Sequence, residues 1–301
     1  MSANRSREIA KVLRNSDLSV KELCTGLDYG SSEIPAVVVD RLSYPGVEAH
    51  LFTIADAAQW KVEFTDEHDV LLSRPSTKTE DIAELVEGNA QAWNRLISIL
   101  SCIMESMHLY KLNITRGEFA TVIWGHHATE WHREMWESKA HEYVHPADFI
   151  EYVDTSIRAQ ITELNSLGFA TIESCSGLLI DHPDREPYKP YVMFDERSYH
   201  GSAPHFFTLG DMAGWESMYA PHGFDVYIRV FSKDDIVAAW SRLMSKARIL
   251  SPLLSRYRST RVETTSSYSD QDRLSNANSN DPTQIIIDDA NQRFLGPNGL
   301  Q

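Results

Sequence analysis

The sequence predicts an α/β protein, with α+β layering as the variant of that class. Three observations carry this. A helix, a glycine, a short apolar strand and a small-residue loop follow one another from Ile150 to Gly177. Apolar residues recur at three- and four-residue steps from Ile82 to Met104, which marks a long core helix. Near the end, alternating Val226, Ile228 and Val230 are followed by a helical pattern from Asp234 to Ile249.

Taken in order, Ile9, Val12 and Leu13 sit at helical spacing. Asp17 or Ser19 is positioned to cap a second short helix carrying Val20, Leu23 and Leu27. An apolar run follows from Ile34 to Val39. Val47–Ile54 and Lys61–Phe64 read as strands, and Val70–Leu72 as another. The stretch 73–78 is a break with Pro75 at its centre. The long helix then starts at Thr79, with Gly88 as its weak point. Phe119–Trp124 reads as a strand and Ala128–Val144 as a helix. Pro146 and Asp148 open the next helix, whose apolar face is Ile150, Val153, Ile157, Ile161 and Leu164. Gly168 stops it. Strands are expected over Phe169–Ile172, Pro190–Phe194 and Asp225–Phe231, and a short helix over Phe206–Trp215. The divisions are 1–75 as a mixed N-terminal region, 76–254 as the main domain and 255–301 as a polar tail. The tail is too poor in large apolar residues to offset its chain entropy alone. No internal repeat is evident.

Composition narrows function. The 301 residues carry 28 basic and 43 acidic side chains, a net charge of −15. The tail holds five arginines against six acids, so nearly all of that charge lies on the body. A phosphate backbone is gripped by Lys and Arg, so this balance disfavours a nucleic-acid partner. Three cysteines make no disulfide framework and fit a reducing, cytoplasmic setting. No apolar run reaches the roughly 20 residues of a membrane span.

The segment Gly168–Gly177, GFATIESCSG, carries the main candidate site. A strand ending in Ser174, Cys175, Ser176 and Gly177 presents small polar groups and backbone N–H groups to a ligand. Asp181 and His182 follow at once, in a loop, where binding residues concentrate. His182 and His205 are the preferred acid–base candidates, since imidazole titrates near neutrality. Nine of the twelve histidines fall between His126 and His222. His126, His127, His132, His141 and His145 lie near Glu130 and Glu134, but their spacing matches no metal motif and assigns no ligand set.

The segment LNSLGFATIESCSG, with an extended strand after it, resembles the wybutosine-synthesis methyltransferases over roughly residues 150–250. The matching signature is Ser174, Cys175, Ser176 and Gly177. The resemblance implies an α/β domain binding S-adenosylmethionine, with Asp154 as the acidic residue before the signature and tRNA as the family's substrate. Leu178 stands where that family has a basic residue. The expectation is therefore a methyltransferase-like enzyme with a small-molecule or nucleotide pocket. The catalytic candidates are His182, His205 and Asp154. The ligand-binding candidates are Ser174, Cys175, Ser176, Gly177 and Asp181. Two alternatives stand beside it: a non-catalytic ligand-binding subunit that assembles through the tail, and a metal-dependent hydrolase using the central histidines.

Overall fold

The computed structural model describes residues 2–16, 18–27, 33–40, 43, 47–64, 69–75, 82–111, 149–183, 189–195, 203–219, 225–230 and 235–259. The expected strand at 119–124, the helix at 128–144 and the tail beyond 259 lie outside them.

The described chain is built twice. The first copy runs α1 (Ser2–Asn15), β1 (Val20–Cys24), β2 (Ala36–Asp40), α2 (Val47–Ala58), β3 (Lys61–Phe64), β4 (Asp69–Ser73) and α3 (Ile82–Lys111). The second opens with two 3₁₀ turns, Phe149–Tyr152 and Thr155–Ile157. It continues with α4 (Arg158–Leu167), β5 (Thr171–Cys175), β6 (Tyr191–Asp195), α5 (Ala203–Ala213), β7 (Glu216–Tyr219), β8 (Asp225–Arg229) and α6 (Ile236–Ser259). Each copy forms a four-stranded sheet, ordered β1-β2-β4-β3 and β5-β6-β8-β7. Every pairing is antiparallel. The coarse reading of mixed helices and strands holds, with the layering of an α+β protein.

The copies agree in detail. Both first strands carry an irregularity at the same place, between Val20 and Glu22 and between Thr171 and Glu173. Both central helices end on a left-handed residue, Gln59 at φ 62° and Gly214 at φ 73°. A tryptophan follows each time. The Trp60 indole N–H donates to the Ala92 carbonyl at 3.3 Å, and that of Trp215 donates to Ala239 at 3.3 Å. A second tryptophan on each last helix donates to the turn after the first strand. Trp93 reaches the Thr25 carbonyl at 2.8 Å, and Trp240 reaches the Ser176 carbonyl at 3.4 Å. The two indoles of each copy pack edge to face, at 4.8 Å and 5.2 Å between centroids.

The matching extends to sequence. His50-Leu-Phe-Thr-Ile-Ala-Asp-Ala-Ala-Gln-Trp60 is answered by His205-Phe-Phe-Thr-Leu-Gly-Asp-Met-Ala-Gly-Trp215. Glu22-Leu-Cys-Thr-Gly-Leu27 is answered by Glu173-Ser-Cys-Ser-Gly-Leu178, and Ala92-Trp-Asn-Arg-Leu96 by Ala239-Trp-Ser-Arg-Leu243. The chain is an internal duplication, which corrects the expectation of no repeat.

Helices α2 and α5 pack against each other at the centre of one continuous core. Their repeated residues meet crosswise. His50 Nε2 lies 2.6 Å from Asp211 Oδ2, and His205 Nε2 lies 3.0 Å from Asp56 Oδ2. Thr53 and Thr208 share a hydrogen bond of 2.8 Å between them. Each hydroxyl also lies 3.3 Å from a carbonyl of the opposite segment, Thr53 from Pro204 and Thr208 from Ala49. The arrangement is a pseudo-two-fold axis through the two threonines.

Four local expectations change. Val20–Leu27 begins as strand β1, because Val20 to Cys24 pair with β2. Val47–Ile54 is helix, because α2 is buried on nearly every side and needs apolar residues all round. Helix α3 passes Gly88 unbroken, and α6 continues through Pro252 to Ser259. Among the described residues no helix is long and apolar enough to cross a membrane.

Candidate functional site

Strand β5 ends at Cys175, and Gly177 turns the chain at φ 70°, a left-handed conformation that suits glycine. A tight turn follows, closed by the Asp181 N–H on the Leu178 carbonyl at 3.1 Å. This turn brings Asp181 and His182 back over the end of the strand. From the other side, Asp154 stands at the start of the 3₁₀ turn 155–157. Its carboxylate makes no cap bond to that turn. It instead accepts the Ser176 backbone N–H at 2.7 Å and lies 2.9 Å from His182 Nε2.

His182 Nε2 also lies 3.4 Å from Cys175 Sγ. Asp154, Cys175 and His182 therefore direct one ligand atom each to a common point, all within 4.8 Å of one another. A histidine–carboxylate relay to a nucleophile would use both ring nitrogens. Here thiol and carboxylate face the same nitrogen, an arrangement that would suit three ligands around an ion. For tetrahedral zinc, bond lengths of about 2.3 Å to sulfur and about 2.0 Å to nitrogen and oxygen imply S···N near ~3.6 Å and N···O near ~3.3 Å. The observed 3.4 Å and 2.9 Å reach those values with shifts of a few tenths of an ångström.

Asp181 forms an outer layer. Its Oδ2 accepts the Ser176 hydroxyl at 2.7 Å and the Ser156 hydroxyl by a short bond, and its Oδ1 accepts the Ser156 N–H at 3.4 Å. Burial alone would raise its pKa, but the bonds from the two serines outweigh burial and hold it below the ordinary carboxylate value. Ser176, with no exposed surface, also accepts the Leu178 N–H at 3.1 Å. These bonds fix the ligand-bearing loop from beneath, as outer-shell contacts do at metal sites. Without a cation the Cys175 thiol is poor as a nucleophile. Burial first, then the charges of Asp154 and Glu173, push it up to about 11 against a weaker opposing bond from Gly177.

Of the candidates named from sequence, Asp154, Cys175, Ser176, Gly177, Asp181 and His182 come together here. Ser174 points to the other face of β5 and pairs with Val192. His205 is elsewhere, 1% exposed on α5, with Thr53 on Nδ1 at 2.9 Å and Asp56 on Nε2. The central histidines His126, His127, His132, His141 and His145 lie outside the described residues. Ser156 and Trp240 were missed, because each acts through contacts made only by folding. The metal grouping was missed as well, since its ligands stand 21 and 7 residues apart with no helical period.

The duplication supplies an internal control. The first copy builds the same strand end with Cys24, Thr25 and Gly26 at φ 59°. Ser6 bonds Thr25 at 3.2 Å, where Ser156 and Ser176 share Asp181. That copy has no histidine between Thr25 and Pro35 and no acid among its first six residues. Its turn is instead held by Asn89, which donates to the Gly26 carbonyl at 2.7 Å and accepts from Arg74 at 2.6 Å. The first copy thus closes the same frame with Asn89 and Arg74 and sets the Glu33 carboxylate 3.3 Å from Cys24, whereas the second places Asp154 and His182 there. No family model matches the chain, and neither a curated protein nor a solved structure is found similar to it.

Proposed function

We propose that the second copy is the active centre of a metal-dependent enzyme, with Asp154, Cys175 and His182 as ligands of one zinc-class ion. The observation that carries this is the convergence of three different ligand types on one point. Three protein ligands leave a fourth position for water or substrate, and a metal-bound water is a nucleophile near neutral pH. Hydrolysis of a small molecule is the reaction class that follows. His182 and Asp154 are both partly open to solvent, 25% and 16%, so a ligand can approach. Cobalt titration tests the assignment. A thiolate-to-cobalt charge-transfer band should grow to saturation in the full-length chain and be absent from Cys175→Ser. A chain that gives no band overturns the proposal.

The methyl-donor reading keeps one supporting observation. Asp154 and Asp181 make the loop acidic, which suits the cationic sulfonium and ammonium groups of S-adenosylmethionine. The acidic body argues against tRNA as its substrate. Calorimetry with S-adenosylmethionine separates the readings: saturable binding that survives chelation of metal favours the methyl donor, and no binding removes it.

A further inference from the structure

The ligand cluster stands at one end of a sheet face that also carries cations. Pairing sets Cys175 opposite Tyr191, Tyr191 opposite Arg229 and Arg229 opposite Glu216. Directly opposed residues share a face, so these four side chains form one row across the second sheet. The other face is the core, where Val192, Phe194, Val226 and Ile228 are fully buried. Arg229 is fixed in the row by its Nε–H, which donates to Glu216 at 2.5 Å. The Tyr191 ring packs on Tyr227 at 5.0 Å, and its hydroxyl donates to Glu173. Lys189 precedes Tyr191 by two residues and is open to solvent. The Val230 N–H donates to the Pro190 carbonyl at 2.9 Å, which carries the pairing one step past the row and puts Lys189 on the Cys175 face. Lys189 is thereby the diagonal neighbour of Cys175, and such neighbours lie about 7–8 Å apart. Arg229 is close enough to act on it. Desolvation first, and then the Arg229 charge, lower the Lys189 pKa against a weaker opposing pull from Glu216.

The first copy is built differently here. Its row is Cys24, Ala36, Ser73 and Lys61, and Ile34 stands where the second copy has Lys189. Lys189 and Arg229 thus occur in the copy that holds the ligand set. Glu216 answers Arg229 and leaves the Lys189 charge without an ion pair among the described residues, on a chain whose net charge is −15. Resting on the metal reading, we infer that the substrate of this centre is a small carboxylate-bearing molecule, whose reacting group takes the open coordination position while its carboxylate meets the Lys189 ammonium. Arg229 stands behind Lys189 and adds to a local positive potential that draws an anion to this end of an acidic body. The separation of about 7–8 Å between Cys175 and Lys189 limits the substrate to a few atoms between its two bound groups.

The test uses the full-length chain with its zinc content measured, and two probes by calorimetry at low salt. Succinic acid monohydroxamate presents a metal-binding head and a carboxylate. Its methyl ester presents the same head and length without the charge. The acid should bind about tenfold more tightly than the ester, as expected for one charge-assisted contact. Lys189→Gln should bring the acid down to the affinity of the ester. Equal affinities for the two probes in a zinc-loaded wild type overturn this inference and leave the metal reading standing. A preference for the acid that persists undiminished in Lys189→Gln also overturns it, by assigning the preference to the metal's own charge. A chain without zinc overturns the metal reading, and Lys189 is then read by acetylation with acetic anhydride, mapped by mass spectrometry, which needs no metal. Excess succinate should slow acetylation of Lys189 several-fold relative to the other lysines of the chain, and equal protection of all of them overturns the carboxylate subsite.

Discussion

Cys175 shows how one side chain takes its character from its surroundings. In water a cysteine thiol ionises at about 8.5. Here burial and two nearby carboxylates keep it protonated, so only a cation at the cluster would make it a thiolate. Asp181 is the opposite case. Its folded pKa lies below the ordinary value of 3.8, where the bonds from Ser156 and Ser176 outweigh burial. Its contribution is therefore complete above that value and is lost as pH falls through the lower, folded one. Ser156→Ala should weaken this pull. A plot of melting temperature against acid pH should show a smaller acid-side loss in the variant than in the wild type, and superimposed curves would show that Ser156 does nothing for Asp181. Gly177 carries a backbone duty. At φ 70°, Gly177→Ala should cost about 1 kcal/mol in a denaturant titration, the left-handed penalty for a residue with a Cβ. Most of this site was legible as residue types in one short segment. The layer beneath it was not, because Ser156 becomes a partner of Asp181 only when two distant turns meet.

At the scale of elements, the α2–α5 contact is the polar centre of the molecule. His50 and Asp211 are almost fully buried, and burial raises the Asp211 carboxyl while its bond to His50 opposes the rise. Breaking a buried pair strands its partner in the core, at a cost of about 3–5 kcal/mol. His50→Gln should lose stability on that scale in chemical denaturation, and loss below ~1 kcal/mol would mean that the pair is not formed. His205→Gln should cost less, because Asp56 is 26% exposed and keeps access to water. The same contact explains what sequence reading missed. Val47–Ile54 looks like a strand because α2 is apolar on most of its surface, and a helix buried all round loses its amphipathic signature. The long periodic helix α3 and the helix–glycine–strand unit at 158–175 were legible, since each keeps one wet face or an explicit stop at Gly168.

For the whole molecule, the duplication joins two frames around one axis and leaves them chemically unequal. It is hidden in the sequence because the loops differ in length. The matching segments stand 151, 155 and 147 residues apart in the three stretches compared above. One copy closes its turn with Asn89 and Arg74, and the other spends the same frame on Asp154, Asp181 and His182. This inequality predicts one ion per chain. Elemental analysis of the full-length protein after zinc loading and exhaustive dialysis measures it directly. About one equivalent is expected in the wild type and in Cys24→Ser, and close to none in Cys175→Ser with His182→Ala. Less than about a tenth of an equivalent in the wild type, or an undiminished content in the double variant, would contradict a metal centre at Asp154, Cys175 and His182.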